Sequence, residues 1–209
     1  MTATWAFAVS VLALFVSAGT AWLTLIRRGT VEMTRPTQIF FGADSSRWGD
    51  LMVSPKIYLR ALLFATSKRG RVVENIHVTV THDGTQQAFS IWVYGARENL
   101  VRGSGLFVGE TGVEANHHFL LPPDASIFKF AAGLYRIDVI AHVLRDRQQK
   151  LLFSDVVEVT PEDAREMREH GAGLYFDWEP SSSRYISHIE QRPERPKPWN
   201  IETFARHDN

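Results

Sequence analysis

The chain of 209 residues contains no cysteine. This absence excludes disulfide bonds, thiol catalysis, and zinc or iron–sulfur sites built from cysteine. An excess of either charge is also missing, since 23 Lys and Arg residues balance 23 Asp and Glu residues. A balanced charge gives no reason to expect nucleic acid or a strongly acidic molecule as a partner. Apolar residues make up 44% of the chain, which is typical of a globular protein.

The first part of the chain lacks charge altogether. Residues 5–26, WAFAVSVLALFVSAGTAWLTLI, form an uncharged run of 22 residues. A helix of this length spans roughly 33 Å, about the thickness of the bilayer core. Trp5 and Trp22 lie near its ends, where aromatic rings with a polar group prefer the membrane interface. Residues 1–28 are therefore predicted to be a single transmembrane anchor in contact with the lipid bilayer.

A cleaved signal peptide is the alternative interpretation, because residues 16–18, VSA, would suit a small-residue cleavage site. A signal peptide begins with positive charge, but the first four residues contain no Lys or Arg. The apolar run also continues for eight residues beyond the site. Both features favour a retained anchor.

Positive charges flank only one end of this run, at Arg27, Arg28 and Arg35. Positively charged flanks tend to stay on the cytoplasmic side of a membrane. We therefore expect the N-terminus outside and the rest of the chain in the cytoplasm.

Small residues recur every four positions within the run, at Ala13, Ser17 and Ala21. Such a stripe lets a second helix approach closely, so it predicts a membrane-protein partner or a homo-oligomer. The alternative is that Ala and Ser are simply common in membrane helices. The run contains no ionisable residue, so by itself it offers no path for protons or ions.

Beyond a linker at residues 29–36, residues 37–160 alternate apolar and polar side chains in short segments. Such alternation is typical of half-buried β-strands, and Asp83-Gly84 is a strong hairpin signal. In the segment 86–94, Phe89, Ile91 and Val93 are expected to face inward. Seven or eight short strands predict an all-β antiparallel sandwich. The predicted strands are 37–42, 55–66, 72–82, 86–94, 106–108, 113–121, 133–144 and 150–159.

One predicted strand, 133–139 with the sequence GLYRIDV, resembles the tyrosine corner of immunoglobulin-like domains. In that family, a tyrosine near the start of the next-to-last strand bonds back to upstream backbone. The position two residues further on, Ile137 here, belongs to the core. The resemblance covers this strand and the strand count. The cysteine pair of antibody domains is missing, and no tryptophan is clearly placed in the core. The resemblance implies an immunoglobulin-like fold and no activity.

The sandwich is followed by a predicted short helix at 161–171. Thr160 suits the N-cap, Pro161 the first helical position, Asp163 a capping box, and Gly171 the end of the helix. Residues 172–209 are rich in Pro, Ser and balanced charge, so most of this tail is expected to be extended and irregular.

Part of this tail is too apolar for a free linker. Its aromatic and aliphatic side chains either fold back on the sandwich or dock on another chain, and burial of such side chains favours the first. They are Leu174, Tyr175, Phe176 and Trp178.

Glycines are concentrated in residues 103–119, GSGLFVGETGVEANHHF. A Walker loop needs Gly-Lys followed by Ser or Thr, and a dinucleotide loop needs three closely spaced glycines between a strand and a helix. Neither pattern is present. The segment is instead predicted to be a hairpin that Pro122-Pro123 ends.

The chain's histidines raise the question of a metal site. Neighbouring residues of a strand point to opposite faces, so His117 and His118 cannot share an ion without a bulge. Histidines from other strands, His77, His82 or His142, would have to converge with a carboxylate such as Glu114 or Asp83. Because no spaced ligand motif is present, ordinary strand histidines are the favoured interpretation. The metal candidates left open are His117, His118, His77 and His142.

No motif of catalysis is recognisable. Ser90, Ser104 and Ser154 lack the Gly-x-Ser-x-Gly context of a nucleophile. Asp138 and Asp155 are expected on neighbouring strands, where paired carboxylates are usually solvated. We therefore expect a protein that is not an enzyme and that has no cofactor.

Aromatic side chains are predicted on the outward faces of two strands. Tyr58 and Phe64 lie on one, and Trp92 and Tyr94 on the other. They either form a second layer of the core or mark a docking patch. The run Lys68–Arg71, KRGR, in a nearby turn is either solvated or set against anionic lipid headgroups.

Two functions follow from the sequence. The favoured one is a non-enzymatic, membrane-tethered interaction module, acting as an accessory or assembly subunit of a membrane complex or as a scaffold. The alternative is a ligand- or metal-binding sandwich that uses the histidines around His117 and His118.

Overall fold

A computed structural model of the chain describes residues 2–44, 54–95, 101–122 and 128–190. It contains an N-terminal apolar helix, two antiparallel β-sheets and one short later helix. Buried side chains from both sheets belong to a single core. The predicted all-β sandwich is confirmed.

The described ranges contain thirteen strands, more than the seven or eight predicted. The apolar helix α1 covers Thr2–Ala21 and continues as a π-helical turn at Trp22–Ile26, and helix α2 covers Pro161–His170. The strands are β1 (Val31–Met33), β2 (Gln38–Asp44), β3 (Ser54–Ala65), β4 (Arg71–His82), β5 (Thr85–Phe89), β6 (Ile91–Gly95), β7 (Val101–Arg102), β8 (Leu106–Val108), β9 (Val113–Leu120), β10 (Gly133–Val143), β11 (Lys150–Val159), β12 (Gly173–Glu179) and β13 (Arg184–Glu190).

The larger sheet has the order β13-β12-β2-β3-β9-β6-β7, and β1 also pairs with β3. The smaller sheet has the order β11-β10-β4-β5, and β8 also pairs with β4. The two longest strands, β3 and β4, follow each other in the chain but lie in different sheets. The turn between them therefore crosses from one layer to the other.

Tyr135 bonds to upstream backbone, which is the contact that the resemblance to a tyrosine corner implies. The Tyr135 hydroxyl donates to the Ala131 carbonyl at 2.9 Å and accepts from the Ala131 amide at 2.7 Å. Tyr135 and Ile137 are both fully buried, and the Tyr135 ring meets Phe41 of the opposite sheet edge-on at 5.7 Å. This corner holds the start of β10 against the larger sheet.

The prediction of one continuous strand at 86–94 is wrong. It is broken at Ser90, where the chain passes from β5 in the smaller sheet to β6 in the larger one. The inward alternation restarts after this crossing, so Phe89 and Trp92 are buried while Ile91 and Val93 are half-buried on the outer face. Trp92 is the core tryptophan that the sequence did not locate.

The prediction that residues 103–119 form a hairpin is also wrong. β8 and β9 do form, but they do not pair with each other, because β8 belongs to the smaller sheet and β9 to the larger. The turn at residues 109–112 is a corner between layers, and Gly112 adopts a left-handed conformation there with φ 79°. A Cβ at this position would come within 2.9 Å of the Leu63 carbonyl oxygen.

Segments predicted as linker and irregular tail contribute strands. Within 29–36, β1 pairs with the end of β3, and Val31 is fully buried. The tail returns to the sandwich because β12 pairs with β2, and β13 then pairs with β12. The latter part of the predicted tail, 191–209, lies outside the described residues.

Helix α2 starts as the sequence indicates. The Thr160 hydroxyl accepts from the Asp163 amide at 3.1 Å, and the Asp163 carboxylate accepts from the Thr160 amide at 3.3 Å. Gly171 ends the helix in a left-handed conformation.

Candidate interaction surfaces

Helix α1 and its π-helical turn give an apolar stretch from Ala3 to Ile26, none of which is buried against the sandwich. A near-N-terminal helix of this length and composition fits a membrane span or a signal sequence. Ala13 and Ser17 are exposed and Ala21 is half-exposed, so the described part of the chain leaves the small-residue stripe uncovered.

Aromatic side chains form a continuous row across the outer face of the larger sheet. Adjacent members are cross-strand neighbours from β13 to β9. Side chains directly opposite each other on neighbouring strands are in contact range. The aromatic row consists of His188, Tyr175, Phe40, Tyr58 and His118.

Three of the neighbouring pairs in the row are in ring contact. His188 stacks on Tyr175 with centroids 5.3 Å apart, and Tyr175 meets Phe40 at 4.7 Å. On the other side, Tyr58 meets His118 at 4.9 Å. Five strands at about 4.8 Å spacing give the row a length of roughly 20 Å.

Phe40 lies flat on the sheet because two neighbouring positions are glycine. A Cβ at Gly42 or at Gly173 would come within 2.3 Å or 2.2 Å of the Phe40 ring. The ring therefore covers backbone that has no side chain of its own, and it is almost fully buried. Its neighbours in the row, Tyr58 and Tyr175, stand half-exposed beside it, and the Tyr175 ring is tilted by 52° to the Phe40 ring.

The structure divides the sequence-predicted docking residues between this face and the interior. Tyr58 and Tyr175 belong to the aromatic row, and Phe64 is half-buried on the same face. Trp92 and Phe176 are buried in the core. Sequence reasoning missed Phe40 and His188, because only the pairing of β12 with β2 and β13 brings them beside Tyr175.

The two remaining predicted aromatics lie at the margins of the interior. Tyr94 stacks on Trp92 at 4.7 Å and donates its hydroxyl to the Gly105 carbonyl at 3.2 Å. Trp178 lies beneath the Arg35 guanidinium, 4.0 Å from its ring centre, and Arg35 also pairs with Asp155.

His117 and His118 point to opposite faces of β9, as predicted. His117 is fully buried, and its Nδ1 accepts from the Trp92 indole N–H at 3.2 Å. Its Nε2 is buried and has no hydrogen-bond partner among the residues that the structure describes. Burial, and secondarily the charge of His118, lowers the pKa of His117 to about 4, so the imidazole is neutral near pH 7.

The other candidate metal ligands lie apart from this pair. His142 pairs with Glu74 at 3.2 Å, and His82 stacks on the Tyr135 ring at 4.3 Å. His77 is half-buried in the smaller sheet, where burial lowers its pKa. Glu114 pairs with Arg60 and Asp83 with His82. In the part of the chain that the structure describes, no three His, Asp or Glu side chains are grouped closely enough to hold a metal ion.

Two of the residues that were considered and set aside as catalytic, Ser154 and Asp138, contact each other. Ser154 donates to Asp138 at 2.6 Å, and Arg136 donates to the same carboxylate oxygen at 3.2 Å. Ser90 marks the crossing between β5 and β6, and Ser104 lies in the segment before β8.

A third surface is the junction between helix and sandwich. The backbone after the helix is held by the turn between β3 and β4. Ser67 donates its hydroxyl to the Arg28 carbonyl at 2.8 Å, and the Thr30 amide donates to the Thr66 hydroxyl at 2.8 Å. Arg71 donates to the Gly29 carbonyl at 3.2 Å. These bonds tie residues 28–30, which follow the helix, to the sandwich.

Gly29 is the tightest point of this junction. It adopts a left-handed conformation with φ 61°, and a Cβ there would come within 2.9 Å of the Ser67 amide nitrogen. We expect Gly29→Ala to lower the free energy of unfolding by about 1–3 kcal/mol, from backbone strain and displacement of the turn. Denaturant titration in detergent measures the loss.

Gly84 provides the matched control, because it has φ 74° but open space where an added methyl group would lie. Gly84→Ala carries the strain without the collision, so it should cost less than Gly29→Ala. Equal losses of unfolding free energy in the two variants would show that the collision with Ser67 does not contribute to the effect of Gly29→Ala.

No protein-family model matches the chain, and no curated protein matches it in sequence.

Proposed function

We propose that the protein is a non-enzymatic, membrane-tethered interaction module that serves as an accessory or assembly subunit, or a scaffold, of a membrane protein complex. Helix α1 anchors it in the bilayer, and the aromatic row binds a second membrane protein. The observation that carries the proposal is the aromatic row on the outer face of the larger sheet, where Tyr58, Tyr175 and His118 are half-exposed. Exposed aromatic surface of this kind is enriched where proteins bind each other.

The uncovered helix stripe supports the same proposal from within the membrane. Small residues at four-residue spacing permit close helix packing, and the tight junction at Gly29 fixes the stripe relative to the sandwich. One partner can therefore contact the helix and the sandwich together, which raises its effective concentration at the second contact.

The sandwich is proposed to face the cytoplasm, as its positive flank predicts. A single cysteine at Gln86, in a chain without natural cysteine, tests this side. In intact cells the cysteine should be protected from a membrane-impermeant maleimide and react only after permeabilisation. Labelling in intact cells would place the sandwich outside.

The fold and the histidines bear on the remaining alternatives. The tyrosine corner supports a place among immunoglobulin-like domains, a likeness that carries no activity. The metal-binding alternative has less support, because His117 is engaged by Trp92 and His118 lies on the other face. Metal analysis of the purified chain tests that alternative, which a bound zinc, nickel or copper ion would favour.

Partner capture tests the proposal directly. The tagged chain is expressed at native level, and mild detergent extracts should contain one stable partner. The double variant Tyr58→Ser with Tyr175→Ser should reduce its recovery at least about tenfold, as losing central aromatic contacts does.

The matched control is Leu151→Ser with Val156→Ser, which changes two exposed apolar side chains of β11. It should recover the partner as the unchanged chain does. A monodisperse monomer, or equal losses in both double variants, would contradict the proposal.

A further inference from the structure

Three turns of the sandwich meet at the exit of the membrane helix. Arg71, which follows the turn 66–70, connects it to the helix exit and to the turn 144–149, because its guanidinium donates to the carbonyls of Gly29 and Leu144, each at 3.2 Å. The Ala65 amide, where β3 ends, donates to the Gly109 carbonyl at 2.9 Å. The turns 66–70, 109–112 and 144–149 therefore lie at the helix-proximal end of the sandwich.

This end is strongly basic in a chain of zero net charge. Its exposed cations come from the helix exit and from two of the three turns. Two carboxylates lie in the same turns, and one of them, Asp146, is paired with the half-buried Arg71 at 2.6 Å. Only Glu110 opposes the exposed cations within these turns. The basic end consists of Arg27, Arg28, Lys68, Arg69, Arg145 and Arg147.

The basic end lies at the depth of the lipid headgroups if α1 crosses a bilayer. The Arg69 guanidinium reaches the Leu25 carbonyl at 3.4 Å, and Leu25 belongs to the apolar stretch. Ser67 in the same turn holds the Arg28 carbonyl. The turn therefore cannot stand away from the membrane surface without breaking these contacts.

Exposed apolar side chains accompany the cations. Phe107 is 61% exposed, and its ring covers Gly70 in the basic turn. Leu144 is 40% exposed beside Arg145. Surfaces that combine cations with exposed apolar side chains are typical of proteins that bind to anionic bilayers.

We infer that the basic end is a binding site for anionic phospholipid headgroups, which hold the sandwich against the bilayer that α1 crosses. This inference rests on the proposed membrane anchoring. Its consequence is a fixed height and tilt of the sandwich, so that the aromatic row is held at a set distance above the membrane surface for a membrane-embedded partner.

The test uses the full chain reconstituted in vesicles, with one introduced cysteine at Gln148 carrying an environment-sensitive fluorophore. Phosphatidylcholine vesicles with and without phosphatidylglycerol contain a headgroup-attached quencher. We expect quenching to be about twofold or more stronger with phosphatidylglycerol, and to fall in high salt. A fluorophore at Gln86, near the opposite end, should show no such dependence.

Two charge variants complete the test. Neutralising Lys68, Arg69, Arg145 and Arg147 to Gln should abolish the lipid dependence, while Arg27 and Arg28 stay in place for insertion. The matched control neutralises four exposed cations outside the basic end to Gln: Lys129, Arg136, Arg165 and Arg168. This control should leave the lipid dependence unchanged.

The outcomes separate this inference from the anchoring. If the chain floats with both vesicle types but Gln148 is quenched equally in them, the inference is overturned and the anchoring stands. Equal effects of the two charge variants would also overturn it, because they would show a response to total charge. A chain that floats with neither vesicle contradicts the anchoring, and the inference with it.

Discussion

Replacing Phe176 by alanine is expected to lower the free energy of unfolding by about 3–5 kcal/mol, the usual cost of removing a buried phenylalanine ring. Phe176 is 1% exposed and meets the Phe41 ring edge-on at 5.2 Å. Phe41 in turn contacts Phe130 and Tyr135, so the cavity would open at the centre of the core. Denaturant unfolding in detergent, followed by tryptophan fluorescence, measures the loss.

Tyr175→Ala is the matched control, because Tyr175 is the preceding residue of β12 and points to the outer face. Its loss should be far smaller, roughly 1 kcal/mol, since the side chain is only half-buried. The pair of variants decides whether the tail folds back into the sandwich. If Phe176→Ala costs no more than Tyr175→Ala, β12 is not part of the core.

Acidification is expected to destabilise the fold through His117. The folded-state pKa of His117 is lowered to about 4, whereas an unfolded histidine titrates near 6.5. Between these values the unfolded chain binds a proton that the folded chain does not. Stability from this residue is therefore fully present above pH 6.5 and is lost as the pH falls, by about 3 kcal/mol at pH 4.

His117→Gln isolates this contribution. The glutamine carbonyl can accept from the Trp92 indole, and the side chain does not titrate. The variant should lose about 2 kcal/mol less stability than the unchanged chain between pH 7 and pH 5. His118→Gln serves as the control on the neighbouring outer-face residue. A pH dependence that His117→Gln leaves unchanged would rule out His117 as its source.

The strands with clear alternation were predictable because their signal is local. In β10, every second residue from Tyr135 to Val143 is buried, as the apolar pattern indicates. The Thr160 capping box likewise needs only residues three apart. Turn chemistry and period-two patterning therefore suffice for the elements whose partners are adjacent strands.

Crossings between the two sheets were not predictable from the same pattern. At Ser90 the chain leaves one layer and enters the other, which reverses the inward set and buries Trp92. At the turn 109–112 the same change separates β8 from β9. A period-two pattern records which residues share a face, but it does not record which sheet the strand joins.

The aromatic row depends on still longer-range pairing. Gln38 donates to Asp177 at 2.9 Å, a contact between residues far apart in the chain. Tyr58 and Tyr175 were singled out from sequence as surface candidates, but their membership of one row follows from the order β12-β2-β3. Individual surface residues could therefore be predicted from the sequence, but their arrangement in one row could not.

Site-specific photocrosslinking in native membranes tests the central claim most directly. A photoreactive amino acid replaces Tyr58 in the row, or Leu151 on β11 as the reference position. We expect one discrete adduct with a second membrane protein at position 58 and none at position 151. No adduct at position 58, or the same adducts at both positions, would contradict an interaction surface at the aromatic row.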